Sequence, residues 1–196
     1  MSPPASWVEE LRDRFASPPP RRLPTDEARH AAVLVPLYVD EGQLWTLLTR
    51  RSQELPHHRG QIAFPGGGRE TGEDFWRAAL RESEEEIGLP ERLVLRLGEL
   101  DEVGTPTGFR IVPCVGAIPH PFAPRPNPGE IAEIFAAPIA ALARPEAIEE
   151  REIVLDGRPR ALRVYRAGRH RVWGVTARIL ENLIDRLGLG AEAGPP

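Results

Sequence analysis

The chain has 196 residues, 25 basic and 29 acidic side chains for a net charge of −4, 41% apolar and 28% charged residues, and one cysteine. That length suits one domain with a sizeable core, and the composition excludes collagenous and wholly disordered chains. The acidic balance argues against a general nucleic-acid coat, which relies on surplus positive charge.

A lone thiol, Cys114, excludes a disulfide framework and suits a cytoplasmic protein. No apolar stretch is long enough for a membrane span, and Met1–Glu10 shows no signal-like apolar segment. Every basic side chain other than histidine is arginine, a fixed fork of donors suited to carboxylate or phosphate.

Trp7, Val8, Leu11 and Phe15 recur at helical spacing and predict an amphipathic helix over Ala5–Ala16. Ser17–Pro24, with Pro18-Pro19-Pro20, ends that helix and reads as an extended connector. β-rich runs at Ala31–Val39 and Leu44–Thr49, separated by Asp40-Glu41-Gly42, predict a hairpin. Gln61–Phe64 is a short apolar piece stopped by Pro65-Gly66-Gly67-Gly68. Glu73–Ile87 reads as a helix closed by Gly88 and Pro90. Strands are expected at Leu93–Val103 and Arg110–Ile118, followed by an irregular proline-rich loop over Pro119–Gly129. Further strands are expected at Ile131–Phe135, Glu152–Leu155 and Ala161–Tyr165, the last two joined at Asp156-Gly157. Val175–Leu187 has the helical period of an element packed on the body, with Trp173 expected to pack against it, and Gly188–Pro196 reads as a frayed tail. Strands interleaved with a few helices indicate an α/β/α or α+β layer fold.

The chemical signal lies between Gly67 and Leu89, which holds the whole net charge of −4 in seven acidic and three basic residues. On a helix, Glu85 falls about 60° to one side of Glu82 and Glu86 about 40° to the other, so all three share a face. Trp76, Ala79, Leu80 and Ile87 form an adjoining apolar stripe, while Arg77 and Glu84 point outward. Clustered carboxylates repel by roughly 0.2–0.5 kcal/mol per pair, a cost that a divalent cation reverses. Hard oxygen ligands at this spacing suit Mg²⁺ or Mn²⁺; the alternative is a solvated acidic face.

Gly67, Glu73 and Arg81-Glu82-Ser83-Glu84-Glu85-Glu86-Ile87-Gly88-Leu89 together resemble the Nudix box, G-x5-E-x7-R-E-U-x-E-E-x-G-U, with Ser83 standing in one aliphatic (U) position. The resemblance implies an α/β/α sandwich around a mixed sheet, with the box as a loop-helix-loop, and a hydrolase for a nucleoside diphosphate linked to another group. It further implies that Glu82, Glu85 and Glu86 bind the catalytic metal, that the backbone at Gly67 adds a carbonyl ligand, and that Glu73 pairs with Arg81 to brace the helix. On this reading, residues 1–24 are an N-terminal helix and connector, 25–188 the hydrolase domain and 189–196 a tail.

Upstream, Leu47-Leu48-Thr49-Arg50-Arg51-Ser52, Gly60 and Phe64-Pro65-Gly66-Gly67 resemble the signature that precedes the box in coenzyme A diphosphatases, with Pro56 replacing that signature's second arginine. Thr107-Gly108-Phe109, Glu133-Ile134-Phe135 and Trp173-Gly174-Val175-Thr176 extend the likeness over roughly 31–187. It implies hydrolysis of coenzyme A or acyl-CoA to 3′,5′-ADP and 4′-phosphopantetheine or its acyl form. Arg51 and Arg59 are then candidate phosphate ligands, with surface ion pairing as the other reading. His58 orients a phosphate or water, or is a turn residue, and Phe64 and Phe109 flank the ligand, or, for Phe64, fill the core. Cys114 is expected to be a buried apolar residue. The general base is open among Glu82, Glu86, Asp101, Glu102, Glu130 and Glu133. The rival readings are a Nudix hydrolase for NADH, ADP-ribose or a damaged nucleotide, and a noncatalytic nucleotide-binding module. No basic stripe supports RNA binding, and a homodimer is expected by analogy alone.

Overall fold

The computed structural model describes residues 5–24, 29–56, 58–155 and 158–190. In chain order these form α1 (Ala5–Ala16), β1 (Arg29–Asp40), β2 (Gln43–Arg51), β3 (Ile62–Ala63), β4 (Gly66–Gly68) and α2 (Phe75–Ile87). There follow β5 (Leu95–Glu99), β6 (Val103–Gly104), β7 (Phe109–Ala117), β8 (Ile131–Pro138), a short α3 (Ile139–Leu142), β9 (Ile148–Leu155), β10 (Arg158–Ala167), β11 (His170–Val172) and α4 (Gly174–Arg186).

A tight turn at Glu41-Gly42, both at positive φ, joins β1 to β2. The two strands pair only from Leu37↔Thr46 to Asp40↔Gln43. Beyond Thr46 they splay, and the segment from Ile62 to Gly68 enters the gap. There β3 pairs with Thr49 and Arg50 of β2, and β4 pairs with Ala31, Ala32 and Val33 of β1. The glycine run expected to stop a strand is therefore a strand itself, since its backbone takes up the hydrogen bonds that the splayed β1 leaves open. On its other edge β1 runs parallel to β7, which also carries β5 and β6 antiparallel, while β8 pairs antiparallel with β2. The strand expected over Leu93–Val103 is thus broken into two, with Leu100, Asp101 and Glu102 between them, of which Leu100 still donates its N–H to the Pro113 carbonyl of β7 at 3.0 Å.

Alternation along β1 sorts its side chains between two layers. Ala32 and Leu34 pack with Ala79, Leu80 and Ile87 of α2. Val35 and Leu37 pack with Phe15 of α1 and Leu180 and Leu183 of α4. The result is an α/β/α sandwich on a mixed sheet. A second antiparallel sheet, β9-β10-β11, adds Tyr165 and Val172 to the α4 side. Trp173, expected to pack against the final helix, stands 48% exposed at the N-cap of α4. The packing of α4 comes instead from Ala177, Ile179, Leu180, Leu183 and Ile184, which repeat at the spacing of one face. The join at Asp156-Gly157 and the tail from residue 191 onward lie outside the described residues.

The connector after α1 is fastened by charge. Asp101 accepts from the Arg21 main-chain N–H at 2.9 Å and from Arg186 at 3.1 Å. Glu102, its side chain fully buried, accepts from the Leu23 N–H at 2.7 Å and from Arg110 Nη2 at 2.6 Å, with Arg22 at 3.3 Å. Arg110 Nε lies 2.6 Å from the same carboxylate but without hydrogen-bond geometry, so Nη2 makes the bond. Burial pushes the Glu102 carboxyl upward, but its bonds to Arg110 and Leu23 and the nearby Arg22 outweigh this and hold it below the ordinary range.

A depressed carboxyl stabilises the fold above its unfolded-state pKa, and that stability is lost as pH falls through the folded value. Glu102→Gln is therefore expected to lower stability by about 3 kcal/mol at pH 7, as when one partner of a buried pair is removed. Thermal melts from pH 7 down to pH 3 should show this deficit shrinking once the pH falls below the ordinary glutamate value of about 4.3, as the wild type loses the stabilisation on the way down to its lower folded-state value.

Candidate active site

The helix α2 begins one residue after the Asp74 N-cap, whose carboxylate accepts the Arg77 N–H at 2.7 Å. It ends at Gly88, whose left-handed backbone (φ 66°) closes the last turn. Glu73, expected to be the first helical residue, lies in the loop before the cap. The helix does not have to include it, because Arg81 reaches back to it in a two-pronged contact, Nε to Oε1 at 2.9 Å and Nη2 to Oε2 at 3.3 Å. The Arg81 hydrogen bonds, with the Glu70 N–H, hold the Glu73 carboxyl below the ordinary range. Arg81 also donates to Glu82 at 2.9 Å, to Glu85 at 3.4 Å and to the Gly68 carbonyl at 3.0 Å. One guanidinium thus ties the preceding loop, β4 and the helix together.

Ser83, in the aliphatic position, is completely buried, and its hydroxyl donates to the Ala79 carbonyl at 2.7 Å. The substitution therefore leaves no orphaned polar atom in the core.

The three carboxylates share a face but not an environment. Glu85 is exposed, Glu82 half-buried and Glu86 buried. Glu86 accepts the Gly66 N–H at 3.0 Å and faces Arg51 Nη1 at 3.3 Å. Burial outweighs both contacts and pushes its pKa up to about 7. Glu82 is also raised, by burial first and against the pull of Arg81. Gly67 lies directly against Glu82: a Cβ on Gly67 would stand 2.4–2.6 Å from all three atoms of that carboxylate group. Among the described residues no three acidic, histidine or cysteine side chains are already gathered around one point. The reason is visible in the bonds: Arg81 draws Glu82 and Glu85 to itself, while Gly66 and Arg51 hold Glu86.

The residues nonetheless fit a hard divalent cation. Glu73, Glu82, Glu85, Glu86 and Glu130 supply five carboxylates against the two guanidinium groups of Arg51 and Arg81. Negative charge is left over, and desolvation makes it costly at Glu82 and Glu86. Glu130 enters through the proline-rich loop, which docks on the end of α2 by bonds from Arg125 N to the Ile87 carbonyl and from Asn127 N to the Glu86 carbonyl, each 2.9 Å. The Glu130 charge then adds to the upward push on both Glu82 and Glu86. Nothing in the spacing of the sequence connects Asn127 or the Gly66 amide to the helix, so only the fold reveals them.

The other proposed residues are distributed unevenly. Arg51 reaches the carboxylates. His58 and Arg59 sit on an exposed surface turn, where His58 meets Gln61 at 2.9 Å and Arg59 donates to the Leu55 carbonyl at 2.6 Å. Phe64, read as flanking the ligand or filling the core, takes the core position: it is 2% exposed, directly after β3. Phe109 begins β7, two strands from β4, with the Arg29 guanidinium 4.1 Å from its ring centre. Cys114 is buried, and burial pushes its thiol pKa upward, so it is no nucleophile. Of the base candidates outside the helix, Asp101 and Glu102 are held by the connector arginines, and Glu133 is bonded by Arg50 at 3.1 Å and Arg169 at 2.6 Å.

Residues 28–156 match the NUDIX domain. The chain is 36% identical over 171 residues to an uncharacterized Nudix hydrolase, NudL, of Photorhabdus laumondii, covering 87% of this chain and 90% of that protein. The like-named protein of Pectobacterium atrosepticum is 36% identical over 190 residues, 93% of this chain and 96% of that one. Among solved structures, a MutT/nudix family protein from Enterococcus faecalis superposes with a TM-score of 0.56 at 16% identity, over 92% of this chain and 74% of that one. The Nudix hydrolase RenU from M. smegmatis superposes with a TM-score of 0.51 at 26% identity, over 59% and 74% respectively. No helix among the described residues is long and apolar enough to cross a membrane. With its box running from β4 through the Glu73 loop and α2 to Gly88 and Leu89, and its relatives matched over most of their length, the chain belongs to the Nudix hydrolase family.

Proposed function

We propose that this hydrolase cleaves the diphosphate of coenzyme A or its acyl derivatives, giving 3′,5′-ADP and 4′-phosphopantetheine or its acyl form. The observation that carries the diphosphate chemistry is the contact of Arg51 with Glu86, which sets a phosphate-matching guanidinium at the edge of the acidic cluster. What favours coenzyme A is the signature Leu47-Leu48-Thr49-Arg50-Arg51-Ser52 leading to Phe64-Pro65-Gly66-Gly67. This signature builds β2, β3 and β4, the strands that present Arg51 and the glycine backbone to α2.

Glu82, Glu85 and Glu86, with the Gly67 carbonyl, would hold Mg²⁺ or Mn²⁺. Bound there, the ion neutralises diphosphate oxygens and makes water a stronger acid. Arg51 holds a phosphate oxygen and Arg81 keeps the carboxylates in register. Glu130 takes the proton of the attacking water at its carboxylate; its main chain is fixed by the Ser52 N–H at 2.7 Å and the Asn127 carbonyl at 3.0 Å.

Incubating the purified protein with coenzyme A and Mg²⁺ or Mn²⁺ should yield 3′,5′-ADP and 4′-phosphopantetheine by mass spectrometry. Intact coenzyme A alongside cleaved NADH or ADP-ribose would move the assignment to another nucleoside diphosphate. Glu130→Gln should lower kcat about 100-fold or more with KM little changed, the usual scale for a lost general base. Gly67→Ala should displace the Glu82 carboxylate rather than the backbone. Melting and turnover measured together should therefore show stability within about 1 kcal/mol of wild type but activity at least about tenfold lower.

A further inference from the structure

Arg51 closes β2 at a register shift, where Arg50 and Arg51 part company: Arg50 bonds Glu133 at 3.1 Å, while Arg51 meets Glu86. Its main chain is held, with its N–H donating to the Gln61 carbonyl at 3.0 Å and the next residue tied to Glu130. Only the side chain is loosely engaged. Of its five N–H donors, Nη1 makes one contact, at 3.3 Å, and Nε is buried without a partner. Arg81, in the same carboxylate cluster, bonds five acceptor atoms. Glu86 has a second, shorter donor in the Gly66 N–H at 3.0 Å, so it does not depend on Arg51 for its position. The Arg51 side chain is 27% exposed, whereas that of Glu86 is 3% exposed, so the guanidinium has a path to solvent that its partner lacks.

We propose that Arg51 is a shared guanidinium, held by Glu86 while the carboxylates lack a cation and released to a substrate phosphate once they acquire one. This rests on the reading that Glu82, Glu85 and Glu86 hold a divalent cation. Arg51 and the cation are rivals for the same negative charge, so removing the positive charge at residue 51 strengthens cation binding. By reciprocity, cation binding frees the guanidinium and strengthens phosphate binding through it. The coupling is mutual: cation and phosphate, whichever arrives first, each strengthen the binding of the other.

The test uses full-length protein and Mn²⁺, with free ion counted by electron paramagnetic resonance. Arg51→Gln and Arg51→Met, which remove the charge, should each bind Mn²⁺ at least about fivefold more tightly than wild type, the lower end of usual site coupling. Arg51→Lys, which keeps the charge, should match wild type. Calorimetric titration with ADP should show that saturating Mn²⁺ strengthens its binding more in wild type than in Arg51→Gln. Unchanged or weakened Mn²⁺ affinity in the two neutral variants, or an equal gain in Arg51→Lys, overturns the shared-guanidinium proposal while leaving the cation reading intact. If wild type itself binds no Mn²⁺, both fall together.

Discussion

The site depends on a missing side chain. Helix α2 brings the Glu82 carboxylate against the main chain of Gly67, and any Cβ there would occupy the space of that carboxylate. The same strip of backbone supplies the Gly66 N–H that anchors Glu86. Both contacts require β4 to lie directly under the acidic face of the helix. That in turn requires β1 and β2 to separate beyond Leu37 and Thr46, leaving a gap for the chain between Ile62 and Gly68. The opening in the sheet and the glycines that line it belong to one arrangement.

Charge is the second organising force. A helix with Glu82, Glu84, Glu85 and Glu86 in five residues repels itself, and the fold answers by placing guanidinium groups where the repulsion is greatest. Arg81 gathers the residues on the wet side of the cluster, and Arg51 approaches the buried one. Neutralisation is incomplete at Glu86, which burial keeps above the normal carboxyl range. Such a site is poised for a cation because the protein alone leaves negative charge in a poorly solvated place.

The apolar layers hold these parts still. Ala79, Leu80 and Ile87 fix one side of α2 to the sheet, while Phe15 of α1 and the inner face of α4 cover the opposite side. The proline-rich loop then caps the helix end through Arg125 and Asn127 and delivers Glu130. Proline suits that loop, since a segment that bonds to the helix at two amides only has no use for a regular ladder of donors. On the other side, the buried Glu102 fastens the connector of α1 to β7 through Arg110, so the N-terminal helix is built into the same core.

Local patterns made much of this legible. The helical spacing of Val8, Leu11 and Phe15 marked α1, and the spacing of Glu82, Glu85 and Glu86 marked one helix face, since both follow from a fixed rotation per residue. The box identified the family. Burial, by contrast, depends on what lies across the sheet. Helical geometry cannot tell that Glu86 is buried and Glu85 is not, that Phe64 turns into the core, or that Trp173 stands outside it. Nor can it bring Gly66, Arg51 and Glu130, 20, 35 and 44 positions from Glu86, to the same carboxylate cluster. The sequence by itself determined which elements form and which carboxylates share a face, because those are nearest-neighbour properties of the chain. Only the tertiary structure decided which carboxylate is desolvated and which arginine reaches it, because strand register and loop docking set those distances.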